Sequence, residues 1–584
     1  MVDQKSVLIA FALSMVVLFG YQFLIVEPKM QAERERRELI EQQRADQEAA
    51  GLAGTPTDAP QPTGDAPTVP ELAAGPGLAA PTPARGAKRI AIETPRLRGS
   101  LSTQGARLDD LLLADYFDEL GEDADNIVLL QHTGTEQAYF ADFGWAARGQ
   151  GTALPTPDTV WTASADTLTP DRPLVLTWDN GAGLVFTRTI AVDEDFLFTI
   201  TQSVENRTDG AVTLAPYGLI ARQSTPETSG FFILHEGPLG VFDETLKEVD
   251  YDELREDGTV TVTSTGGWIG ITDKYWLTAL IPDQDIAFAG RFQHLLRGGG
   301  DRYQVDYLDA EQIVAPGARL AVTSHLFAGA KEVDLIDGYG AALDIDRFDL
   351  AIDWGWFFFL TKPIFYALDY LNKLTGNFGV AILLLTVGVK LIFFPLANKS
   401  YESMTRMKKM QPKMKALQER FKDDKVRMQQ ELMELYKKEK INPLAGCLPI
   451  LIQIPVFFAL YKTLFVTIEM RHQPFFGWIE DLSAADPWTP LNLFGLIPWD
   501  PPSFIAVGIW PILMGVSMYL QQKLNPQPTD PMQQKIFAFL PIIFTFILAP
   551  FPVGLVIYWT WNNLLSMLQQ WVIMRRMGVK VSDG

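Results

Sequence analysis

One lysine stands inside an apolar run long enough to cross a membrane. Gly379 to Asn398 reads GVAILLLTVGVKLIFFPLAN, with Lys390 near its middle. At ~1.5 Å per residue the run can span a ~30 Å hydrocarbon core as a helix. A cation at that depth costs roughly 2.5–3.5 kcal/mol on insertion scales. It needs a wet cavity, a partner or a path to the interface. Snorkelling to a headgroup is the blander reading, but about eight residues separate Lys390 from the next basic stretch. Thr386 lies four residues earlier and Phe394 four later, so Thr386 and Lys390 share one helical face.

Other polar side chains fall at helical spacing in the last apolar run. Tyr558, Asn562, Ser566 and Gln569 form one stripe; Trp559, Asn563, Ser566 and Gln570 form a second. Ser517 and Gln521 lie in the run before. With Thr386 and Lys390 they can line a hydrophilic groove. Interhelical hydrogen bonds worth about 1 kcal/mol each would explain isolated Ser or Asn equally well. They explain a lysine without a carboxylate poorly.

The patterns of bond-making catalysts are missing. The apolar runs hold no carboxylate pair for a proton relay. The chain has no P-loop and no GxSxG nucleophile motif. Its single cysteine, Cys447, excludes an internal disulfide and a CxxC zinc site. His132, His235, His294 and His325 are scattered, without ligand spacing. No catalytic activity, metal or cofactor is expected. A groove of this kind serves a physical task. An apolar helix of ~20 residues gains roughly 0.3–0.6 kcal/mol per residue on entering the bilayer. The barrier is the charged flank that must cross. A wet half-channel open to lipid shortens that crossing, and a cation inside it attracts acidic flanks.

The elements that must position these residues follow from charge and hydropathy. The 584 residues carry a formal charge of −21. From Trp354 onward 23 basic residues face 15 acidic ones, a net of +8, leaving −29 on the first 353. An acidic first part joined to a basic, apolar second part indicates two compartments. Nucleic-acid binding is not expected, because the cations flank membrane spans. Residues 1–28 read as an uncleaved signal-anchor helix, and 29–87 as a charged helix followed by a disordered Pro/Ala-rich linker. Residues 88–335 hold many short strand patterns, among them Leu184–Val192 and Trp276–Ile281, as in a large antiparallel β-sandwich. Residues 353–375 read as an interfacial amphipathic helix. Residues 376–575 carry five spans and a basic helical hairpin, 399–445, and 576–584 form a tail. The hairpin holds 13 basic and seven acidic residues. Its Met404, Met407, Met410 and Met414 stripe is expected to pack against Met428, Leu432, Leu435 and Tyr436 of the second arm. Lys408, Lys409, Lys413 and Lys415 are its candidate contacts for clients or ribosomes. Loop cations place the hairpin and C-terminus in the cytoplasm and the β-domain outside. The fold class is a polytopic α-helical membrane protein of six transmembrane helices, with a five-helix core and a large extracytoplasmic antiparallel β-sandwich.

Several runs carry a resemblance: Lys390–Pro395 (KLIFFP), Met410–Lys413 (MQPK), Asn442–Pro449 (NPLAGCLP), Leu451–Pro455 (LIQIP), Asp530–Lys535 (DPMQQK) and Pro552–Val556 (PVGLV). In these the chain resembles the YidC/Oxa/Alb insertase family. The resemblance implies insertion and folding of nascent membrane proteins in the bacterial inner membrane, alone or with the Sec translocon. It also implies a mutarotase-like periplasmic sandwich. It carries the family's groove cation onto Lys390, the groove threonine onto Thr386, and the groove aromatic onto Tyr558 or Trp559. Asn562 and Ser517 complete the expected groove. Many members have arginine where Lys390 stands. A transporter or channel for a small anionic solute is the competing function class.

Overall fold

The computed structural model describes residue 69 and residues 84–578, apart from the short stretches 122–123, 149–150, 230–233, 298–299, 422–423, 440–447, 495, 498, 500–505 and 526–530. The expected signal anchor, the charged helix, nearly all of the linker, and most of the NPLAGCLP motif lie outside the described residues.

The described residues divide into two compact units, one within residues 61–356 with 466–469, the other within 357–465 and 470–578. The first unit is a sandwich of an eleven-stranded and a nine-stranded sheet. Alternation drives it: Leu184–Val192 buries every second residue, as a half-covered antiparallel strand should. Its neighbour, Leu197–Asn206, pairs with Arg319–Ala330 over nine residues, Leu197 opposite Phe327. Trp276–Ile281 has the extent the sequence pattern predicts. The core between the sheets is aromatic, with Tyr307, Phe186, Phe198 and Phe292 almost fully buried, while Trp268 packs on the other face of the nine-stranded sheet against Phe348 at 5.6 Å. Among the described residues the unit also holds two α-helices, α1 (Tyr251–Asp257) and α2 (Val333–Ala342), and a short 3-10 helix at Phe348–Ala351.

The second unit is helical. Its described helices are α3 (Phe358–Thr375), α4 (Phe378–Ile392), α5 (Phe394–Arg420), α6 (Lys425–Lys438), α7 (Leu448–Val466), α8 (Ile509–Leu524), α9 (Pro531–Ile547) and α10 (Val553–Arg576). Local signals set their ends. Gly376 closes α3 at φ +70°, a conformation that costs glycine little. The Asn377 side chain caps α4 by accepting from the Val380 N–H at 3.0 Å. Asp424 caps α6 in the same way through Arg427, also at 3.0 Å. The hairpin turn falls between α5 and α6, where the Lys422–Lys425 turn is predicted. The aromatic helix α3 starts at Phe358, five residues after the expected boundary. It buries Thr361, Ile364, Phe365 and Leu368, and exposes Phe358, Phe359, Tyr366 and Tyr370.

Two expectations are corrected. The run Gly379–Asn398 is not one helix: α4 ends at Ile392, and the chain bends by 72° into α5. Pro395, in the first turn of α5, has no N–H to continue the ladder of α4. Phe394 therefore does not extend the face of Thr386 and Lys390. Lys390 lies in the last turn of α4 rather than in the middle of one continuous helix. Among the described residues no single helix is long and apolar enough to cross a membrane; the bent pair α4 and α5 passes that test together. The methionine stripe is also divided. Met410 and Met414 pack with Met407, Leu432, Leu435 and Tyr436 between the hairpin arms. Met404 instead packs with Tyr401 and Ile573, tying the start of the hairpin to α10.

Candidate functional site

The site forms where the last turn of α4 meets the middle of α10. The Lys390 Nζ donates to the Ser566 Oγ at 2.7 Å. Ser566 in turn donates to the Asn562 carbonyl at 2.7 Å. The hydroxyl is thereby oriented with a lone pair toward the ammonium. A cation in the last turn also meets the negative end of the helix dipole. Lys390 is half-buried. Beside it lies a cavity of about 40 Å³ lined by Val389, Lys390, Phe393, Leu396, Ala397, Tyr401, Gln453 and Val456. That is room for a few waters. The wall is mostly apolar, and its polar groups, Lys390, Tyr401 and Gln453, come from three helices. Gln453 of α7 donates its amide to the Tyr558 hydroxyl, which fixes both groups. At the hairpin end, Gln569 donates to the Asn398 Oδ1 at 3.1 Å. The polar stripe of α10 is thus met by α4, α5 and α7 at successive levels.

The residues expected to line one groove separate into two layers. Lys390 and Tyr558 reach the cavity or its lining residues. Asn562 supplies the carbonyl under Ser566; its side-chain oxygen is buried with no hydrogen-bond partner among the described residues. Thr386 is buried, and its hydroxyl bonds back to the Ile382 carbonyl of its own helix at 2.7 Å. Ser517 pairs with Asn563, which donates to its Oγ at 2.9 Å. Trp559 packs edge-on against Phe457 at 4.6 Å and beside Phe544 at 5.8 Å. Ser517 and Trp559 therefore belong to the contacts that hold α7, α8 and α9 to α10. Tyr401 and Gln453 are additional cavity residues. Neither stands in an obvious polar stripe; Tyr401 follows the bend, and Gln453 is a lone amide in the LIQIP run.

In the hairpin, Lys415 is exposed, Lys413 pairs with Glu439 at 3.3 Å, and Lys409 donates to the Met577 carbonyl at 2.6 Å. Lys408 is buried, 5% exposed. The expected patch of four surface cations is therefore one of three.

The sequence relatives agree with this architecture. Residues 89–367 match the family model of the YidC periplasmic domain, and residues 370–580 match that of the 60Kd inner membrane protein. The chain is 50% identical to the membrane protein insertase YidC of Methylobacterium radiotolerans, covering 99% of this chain and 96% of that one. It is 48% identical to the membrane protein insertase YidC of Brucella suis, over 100% and 97%. A crystal structure of an active YidC insertase with its first transmembrane domain resolved matches at 18% identity and a TM-score of 0.36, over 82% of this chain and 92% of that one. With near-complete coverage at 48–50% identity, this chain belongs to the membrane protein insertase YidC family, and is a bacterial inner-membrane insertase with a periplasmic domain.

Proposed function

We propose that the cavity at Lys390 is the entry of the hydrophilic groove through which client flanks cross. The observation that carries this reading is the Lys390 ammonium held by Ser566 beside a small cavity, at the hairpin end of α4. A charged flank crossing bare hydrocarbon costs roughly 2.5–3.5 kcal/mol per charge. A preset cation and a few waters lower that cost for an acidic flank in particular. The apolar part of the client leaves sideways into lipid, which needs no site of its own. Tyr558, held by Gln453, would present a rigid amphipathic edge to the passing segment. Thr386 would support the cation's face of α4. Asn562, through its carbonyl, would orient Ser566, while Ser517 and Trp559 hold the helices that frame the groove.

The rest of the assembly follows from the charge pattern. Six spans cross the inner membrane, α4 continuing across the bend into the first residues of α5. The hairpin and C-terminus face the cytoplasm, the sandwich faces the periplasm, and α3 lies along the interface with its exposed aromatic side in lipid. Lys409, Lys413 and Lys415 offer a cationic surface to a ribosome or client, and Lys408 braces it from within. The Sec translocon is the expected membrane partner.

The test is insertion of a matched client series that differs only in flank charge, into membranes carrying Lys390→Ala at equal abundance. Loss confined to acidic flanks supports the groove. Equal loss for acidic and neutral flanks would reassign Lys390 to packing or hydration of the bundle.

A further inference from the structure

Residues paired across antiparallel strands project from the same face of a sheet. Two adjacent rows cross the centre of the eleven-stranded sheet. Asp142, Leu219, Asp306 and Arg291 form one; Phe140, Ala221, Gln304 and Gln293 form the other. The row between them contains Val305 and Phe292, and the Phe292 ring meets Phe242 of the nine-stranded sheet at 6.0 Å. That intervening row faces the second sheet, so the first two rows lie on the opposite, outer face. An outer face is ordinarily wet and polar. Here Leu219 and Gln304 are 0% exposed, Asp306 1% and Asp142 4%.

Val69 sits on this face. It is 6% exposed and packs with Phe140, Ala146, Tyr217, Leu219 and Ala221. Its carbonyl accepts from the Arg291 Nη2 at 3.4 Å. The arginine is held in place by Asp306 at 2.9 Å, and Gln304 donates to the same carboxylate at 2.8 Å. An apolar patch takes the side chain while an oriented guanidinium takes the backbone. This combination reads a peptide segment with little regard to sequence beyond a small apolar residue. Val69 lies 20 residues before the first strand, Arg89–Glu93, in a stretch whose composition favours no core of its own.

We propose that the outer face of this sheet is a peptide-binding groove whose resident occupant is the chain's own linker, seated through Val69. The sandwich is then tethered at residue 69 as well as at its first strand, which shortens the free chain between the membrane anchor and the domain.

The test uses the full-length protein in detergent, with Cys447→Ser as background and single cysteines introduced by Val69→Cys or Thr57→Cys. Maleimide should label the position 69 thiol at least roughly tenfold more slowly than the position 57 thiol. Ala146→Trp, which fills the apolar patch, should abolish that difference while circular dichroism and the melting transition stay cooperative. Equal labelling at the two positions in the folded protein would overturn the proposal, as would protection that survives Ala146→Trp. Protection that falls on dilution would assign the occupant to a second copy and overturn the intramolecular reading. As an independent measure, a labelled peptide of residues 61–76 should bind saturably to the full-length Val69→Asp variant and not when Ala146→Trp is added. Absence of saturable binding would count against the groove.

Discussion

Lys390 and Ser566, 176 residues apart in sequence, are joined by one hydrogen bond of 2.7 Å. The bond ties the end of α4, where the chain bends into the hairpin, to the middle of α10. It also gives the half-buried ammonium a neutral partner, which leaves its charge unspent for a client carboxylate.

Charge should therefore matter more than shape at this position. Lys390→Arg should keep activity close to the parent level. Lys390→Ala should slow insertion of acidic-flank clients by about tenfold if it forfeits roughly 1.4 kcal/mol of attraction. Lys390→Glu should be worst, because repulsion replaces attraction. Ser566→Ala should give a smaller loss, since the ammonium stays while its orientation is relaxed. Initial insertion rates for the matched client series check the order, and a Lys390→Glu variant as active as Lys390→Ala would contradict it.

The Asn563–Ser517 pair makes a separate claim about stability. Both side chains are about 3% exposed and bonded at 2.9 Å. Coupling between such groups inside membrane bundles runs at about 0.6 kcal/mol, with a ceiling near ~1.7. A double-mutant cycle with Asn563→Ala and Ser517→Ala, read by denaturant unfolding in mixed micelles, should give a coupling in that range. Insertion by the surviving protein should keep its flank-charge profile. A selective loss for acidic flanks would move Ser517 from packing into the groove.

Hairpin binding should depend on three lysines rather than four. Neutralising Lys409, Lys413 and Lys415 together should weaken ribosome association and flatten its dependence on salt. Lys408→Gln should act through hairpin stability instead, because the side chain is buried. Sedimentation at two or more ionic strengths separates the cases. Unchanged association in the triple variant across salt would rule out electrostatic docking.

The periplasmic sandwich carries a pH dependence of its own. Asp309 is 3% exposed, and neither carboxylate oxygen has a hydrogen-bond partner among the described residues. Burial, with a smaller contribution from the nearby Asp283 charge, pushes its pKa up to about 8. The folded state thus holds a proton that the unfolded chain releases near its ordinary value of 3.8. Stability from this group is fully present below that lower value, and is lost as pH rises toward 8. Asp309→Asn should remove this loss, which is on the order of a few kcal/mol. Thermal melts of the sandwich from pH 4 to 9 should show a shallower decline in the variant, and parallel curves would place the titration elsewhere.

Much of this protein is legible along the chain because its signals are local. A short strand-like run between turn signals marks Leu184–Val192 before any partner strand is known. Asn377 and Asp424 mark helix starts through atoms within a few residues of themselves. The charge difference between the two parts needs only counting. Even Lys390 stands out by type and surroundings alone. Periodicity, however, says which residues share a face and never what meets that face. It put Thr386, Ser517 and Lys390 into one groove, whereas Thr386 bonds to its own helix and Ser517 to Asn563. It read Gly379–Asn398 as one helix, because hydropathy averages over a bend that depends on a missing proline N–H. It ran four methionines into one stripe, although Met404 faces α10. It counted Lys408 with the surface lysines, although packing buries it. The tertiary structure alone chose these partners, among them Ser566 for Lys390 and the outer sheet face for Val69. Burial and directed hydrogen bonds there join residues far apart in sequence, and no short-range pattern encodes such a pairing.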